Sequence, residues 1–76
     1  MHDPTVIFRK IGAAGFAEAS KNFPPAHLAI QDLMEGKTTD ANGRPVIVTF
    51  ERHFFTRRKT SWYAWQLRDA RYVDET

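Results

Sequence analysis

The chain has 76 residues, of which 42% are hydrophobic and 26% charged, and its net charge is +2. That length and balance describe one globular domain with a single core and exclude a disordered chain. Cysteine is absent, which rules out disulfides and thiolate metal sites, and no apolar run approaches the ~20 residues that cross a bilayer.

A core of this size contributes about 3–5 kcal/mol. Packing of ten aromatic side chains must therefore supply much of the stability, and a homodimer is a possible supplement. Residues 1–4 and 74–76 are expected to be flexible. Met1-His2-Asp3-Pro4 has neither the basic start nor the apolar stretch of a signal peptide, so the expected location is the cytoplasm.

Thr5 to Ile11 is β-branched and aromatic and reads as a first strand ended by Gly12, with Val6 and Phe8 on one side and Ile7 and Arg9 on the other. Ala13 to Asn22 is rich in alanine and reads as a short helix, with Phe16 and Phe23 on one face. Pro24-Pro25 ends it. Pro25 can open a second helix, in which Ala26, Ala29, Ile30, Leu33 and Met34 follow the i, i+3, i+4, i+7, i+8 spacing. Gly36 would then cap its C-terminus, with Lys37 offsetting the negative end of its dipole.

Lys37 to Pro45 is polar and contains the turn signal Asn42-Gly43. Val46 to Phe55 alternates, and so does Ser61 to Leu67. A connecting loop with an even residue count places Val46, Val48, Phe50 and Phe54 on the same face as Tyr63, Trp65 and Leu67. The reading is therefore a hairpin with a two- or four-residue loop within Arg57–Thr60. Its buried face packs on the helix containing Leu33, and its open face carries His53, Phe55, Trp62 and Gln66. The strand can continue over Arg68–Val73. A helix over 61–73 with Ser61 as N-cap would spread apolar residues over more than half its circumference and ranks second. The expected architecture is a small single α+β domain in the order β-α-α-β-β, an antiparallel sheet with helices packed on one face.

Charge is uneven along the chain. Arg52 to Arg71 holds six Lys or Arg against one acid, whereas Glu18 to Asp40 holds four acids against two lysines. The candidate binding residues are Arg57, Arg58 and Lys59 at the hairpin tip, with Phe55, Trp62, His53 and Arg52 beside them. Cations among aromatic rings suit a phosphate polymer or an acidic protein face. The same charges could instead only keep the hairpin soluble and blunt its edge.

No catalytic pattern emerges. His2, His27 and His53 lack metal-ligand spacing, so no metal or cofactor is expected. Asp32 and Glu35 would lie on a solvated helix face, which leaves nothing to move their pKa values apart. There is no nucleophile elbow and no glycine-rich phosphate loop. The leading expectation is a non-enzymatic binding module for nucleic acid or an acidic protein surface. The first alternative is a phage or mobile-element inhibitor that blocks a host complex by protein contact.

Two resemblances add expectations. A strand, two helices split at a proline-rich turn and basic antiparallel strands resemble the RelE/ParE-type toxin fold. Such toxins bind the ribosome or gyrase, and some cut mRNA with Arg, Lys, His and Tyr side chains. The resemblance implies a second alternative, a toxin in which His53, Arg57, Arg58, Lys59 and Tyr63 are the candidates. Asp32-Leu33-Met34, Gly36-Lys37 and Gly43-Arg44 before a strand resemble the helix-to-hairpin junction of the small head-completion protein of lambda-like phages. That likeness spans Ala29 to Phe50, less than a third of the chain, and after Phe50 the family continues into a helix.

Overall fold

A computed structural model describes residues 3–74. In chain order it has α1 (Pro4–Phe8), α2 (Ala13–Ser20), a 3₁₀ turn (Ala26–Leu28), β1 (Leu33–Thr39), β2 (Pro45–Arg57) and β3 (Thr60–Tyr72). The protein is a small α+β domain with a three-stranded antiparallel sheet in the order β1-β2-β3.

The strand expected at Thr5–Ile11 is instead largely helix. The Asp3 carboxylate accepts from the Thr5 N–H at 3.0 Å, and Pro4 fills the first helical position, where its missing N–H is no loss. Ile7 and Ile11, four residues apart, both enter the core. Asp3 and Pro4 thus start a helix, while positions 1, 2, 75 and 76 of the expected flexible termini, His2 among them, lie outside the described residues.

The second helix is replaced by the 3₁₀ turn and β1. Its apolar spacing did not mark a buried face: Ala26 and Ala29 are buried, but Ile30 is 97% exposed. The segment before β1 is held extended by Arg52. Its backbone N–H donates to the Asp32 carbonyl at 2.7 Å, and its guanidinium donates to the Ala29 carbonyl at 2.6 Å and to Asp32 Oδ1 at 2.9 Å. Pairing β1 with β2 gives the hairpin the third strand that a stable sheet needs. Helix propensity is a weak prior against that gain. Gly36 is therefore a strand residue and not a cap, and α2 approaches so closely that a Cβ at Gly36 would run into the Ala19 carbonyl. The opening strand of the toxin-like order and the helix of the phage-like junction are both absent.

Val46, Val48, Phe50, Ala70 and Tyr72 line the inner face of the sheet and pack with Ile7, Ile11 and Ala19 from the helices. Phe8, Phe16, Phe23 and Trp65 close the rim. Phe23 meets the rings of Phe50 at 5.2 Å and Trp65 at 5.5 Å, edge-on to both. The Trp65 indole donates to the Pro24 carbonyl at 3.0 Å.

The β1–β2 turn is built on Asp40, which is buried. The Gly43 N–H donates to the Asp40 carbonyl, and Gly43 takes φ +82°. The carboxylate accepts from the Asn42 N–H at 2.9 Å, the Arg44 N–H at 3.0 Å and the Tyr72 hydroxyl at 2.9 Å. Its pKa lies below the ordinary 3.8, first because of the Arg44 N–H and then through the Tyr72 hydroxyl, the Asn42 N–H and the Lys10 charge, against the opposing effect of burial. This cluster ties the turn to the end of β3. Arg44 covers the Tyr72 ring at 3.7 Å and pairs with Asp74 at 3.0 Å.

The β2–β3 register has one break. Thr49 faces Asp69, but Phe50 faces Leu67, so Arg68 is an extra residue in β3.

Candidate functional site

β1 pairs only as far as Glu51, opposite Leu33, whereas β2 and β3 run on together to Arg57 and Thr60. Thirteen residues per strand span about 43 Å at ~3.3 Å each, in agreement with a molecule of 42 × 24 × 22 Å. From the Arg52–Trp65 rung outward, β2 and β3 therefore form a two-stranded arm beyond the helical layer. Its loop is Arg58-Lys59, the shorter of the two even lengths expected from the alternation, and Arg58 takes φ 55°. A positive φ at the first loop position is what primed hairpin turns use.

The strand pairing sorts the side chains as the alternation implied. Phe55 faces Trp62 and His53 faces Ala64 on one side of the arm, while Phe54 faces Tyr63 and Arg52 faces Trp65 on the other. On the first side, Phe55 and Trp62 stack at 5.7 Å with planes 19° apart, and His53 lies 5.6 Å from Phe55. Trp62 is 42% exposed. His53 Nε2 stands 3.4 Å from the Glu51 carboxylate.

The second side differs from expectation. Phe54, Tyr63 and Leu67 were expected to be buried under a helix, yet Phe54 is 55% and Tyr63 43% exposed. The helical layer ends at Phe23 and Trp65, and nothing among the described residues covers the arm beyond them. Phe54 and Tyr63 form a second ring pair at 4.9 Å. Sequence reasoning missed this pair, although the signal was there: two strands of this length outrun any helix that the first half of the chain could lay on them.

The seven candidate residues are not all brought together. Arg57, Arg58 and Lys59 gather at the tip, and among the described residues none of their side chains has a hydrogen bond or ion pair. Phe55, Trp62 and His53 form one row behind the tip. Arg52 points to the other side, where it braces Ala29 and Asp32 and lies 5.0 Å from the Tyr63 ring centre. The toxin-like set is split too, with His53 and Arg57 on one side of the ribbon and Tyr63 on the other. Asp32 pairs with Arg52 and Glu35 with Arg71 at 3.2 Å, so both serve structure.

Electrostatically the arm is one-sided. Residues 52 to 68 contain five Lys or Arg and no acid. Arg52 and Arg68 are neutralised by Asp32 and by Glu51 at 2.8 Å, which leaves the three tip cations to set the local field. Among the described residues no His, Asp and Glu side chains group as a metal set, and no helix is long and apolar enough to cross a membrane. What the arm offers is adhesion: open ring faces and cationic donors on a projecting ribbon. No protein-family model matches the chain, nor does any curated protein or solved structure.

Proposed function

We propose that this protein is a small binding module that uses its β-arm to grip nucleic acid. The observation that carries this reading is an acid-free ribbon whose three tip cations have no side-chain partner among the described residues and stand next to the exposed rings of Phe54, Trp62 and Tyr63. Such cations engage phosphates without first breaking internal pairs, and rings beside them add sequence-tolerant contact. With net charge only +2, attraction is confined to the arm.

Fluorescence anisotropy with labelled nucleic acid tests it. If three phosphates are neutralised, raising salt from about 50 to 200 mM weakens binding by roughly 20- to 40-fold, since log K falls with a slope near −0.7 to −0.9 per phosphate. Replacing Arg57, Arg58 and Lys59 together by Ala abolishes both the binding and its salt slope. Salt-independent binding, or none, defeats the proposal.

A second reading gives the arm an acidic protein partner that it blocks. It is favoured by Ile30 and Leu28, which lie exposed beside Pro24, Gln31 and Met34 along an open groove of about 350 Å³. Apolar side chains so open are common at protein contacts.

A further inference from the structure

Resting on the nucleic-acid reading above, we infer that the arm's ligand is an unpaired strand, held by base stacking on rings from both faces of the ribbon. Phe54–Tyr63 and Phe55–Trp62 are successive rungs of the same ladder, so the two ring pairs lie back to back within about 3.4 Å along the arm. Arg57 lies two residues beyond the Phe55–Trp62 rung and the Arg58-Lys59 turn one more, so the cations begin about 7–10 Å further out along the arm. A strand passing over the tip can place phosphates on the cations and bases on the rings on either side.

A duplex uses this surface poorly. A two-stranded ribbon does fit a major groove about 12 Å wide, and there it reads base edges with Arg, Lys, Asn or Gln. The arm's free Arg and Lys side chains are confined to its tip, and along its flanks there is no Asn or Gln and the rings bring almost no donors for base edges. With one face toward the bases, the other ring pair would stay idle in solvent. Base faces are available to both pairs only when the bases are unstacked from a partner strand. DNA and RNA strands share this chemistry.

The test compares a 12-nucleotide oligothymidylate, a 12-nucleotide oligouridylate and a mixed-sequence duplex on the full chain, read by tryptophan emission and by anisotropy. The expected result is single-strand binding about tenfold or more tighter than duplex binding, with quenching of Trp62. Trp62→Ala then weakens single-strand binding about fivefold or more, whereas Trp62→Phe keeps the affinity and loses the quench. Tyr63→Ala weakens it as well, which shows that the second face takes part. Thermal melts of each variant exclude unfolding as the cause. A duplex bound as tightly as the single strands, and lost with the tip triple variant, leaves the nucleic-acid reading standing and overturns this inference. Single-strand binding indifferent to Trp62→Ala and Tyr63→Ala overturns it too. No binding to any of the three probes overturns both readings and turns attention to a protein partner.

Discussion

Gly36→Ala is expected to destabilise the domain sharply. An added Cβ would collide with the carbonyl oxygen and carbon of Ala19 and sit 3.1 Å from its Cα. All three atoms are backbone, so no rotamer change relieves the clash, and α2 has to lift off β1. A gap of ~0.5–1 Å forfeits a quarter to a half of the attraction across that contact. Overpacking of this kind costs about 1–3 kcal/mol, with the upper end expected where backbone must yield. A chain of this length has about 4–11 kcal/mol in all, so ~3 kcal/mol is a large share of it. At ~4–8 °C per kcal/mol the melting temperature should drop by about 12–24 °C. Thermal and urea unfolding followed by circular dichroism would measure this, with Gly12→Ser as the control. Gly12 has open space around it and precedes α2 as its N-cap, where serine is favoured, so that change should be neutral or mildly stabilising. A Gly36→Ala loss of only ~1 kcal/mol is what a glycine at a helix C-terminus would show, and it would refute the placement of α2 on β1.

Other consequences are as direct. Arg58→Gly removes the positive-φ cost at the arm's turn and should raise the melting temperature by about 4–8 °C, a gain of ~1 kcal/mol; an unchanged or lower value would count against that turn. Arg52→Ala leaves the Ala29 carbonyl without its guanidinium donor and uncovers Tyr63, for a loss of about 2 kcal/mol in chemical denaturation. Its pair with the exposed Asp32 adds little, and Arg52→Lys should recover less than half because lysine lacks the fork. The lowered pKa of Asp40 makes its contribution complete above the ordinary 3.8 and lost as pH falls from there through the folded value. Acid unfolding of Asp40→Asn should therefore be shallower below pH 3.8 than that of the parent, and an unchanged acid limb would remove Asp40 from the account.

The arm was legible because alternation in Val46–Phe55 and Ser61–Leu67, with an even loop between them, leaves one register that keeps apolar residues together. The errors came from the first half of the chain. Val6, Ile7 and Phe8 read as a strand by composition, although Asp3-Pro4 carried the helix-start signal and Ile7 and Ile11 the helical spacing. Ala26 to Met34 fitted a helical repeat, but what decides the segment is a partner far away in sequence. Arg52 holds residues 29–32 extended, and β2 offers β1 a ladder. Neither fact is visible in a local window. The exposed Phe54–Tyr63 pair is a different case: the length of the two strands already put it beyond the reach of any helix.

One extra residue decides which way each tryptophan looks. Were Arg68 instead taken into the ladder opposite Phe50, with β3 continuing in step from Tyr72 and Ala70, parity would send Trp62 toward the helices and Trp65 to the opposite surface. The side chain at 68 matters little by comparison, since its contact with Glu51 is solvent-exposed. Position 68 should accept almost any substitution, and deleting it should close the bulge with Trp65 still inward and Trp62 still outward. Straightening the bulge at unchanged chain length would turn the ribbon over and exchange its front for its back.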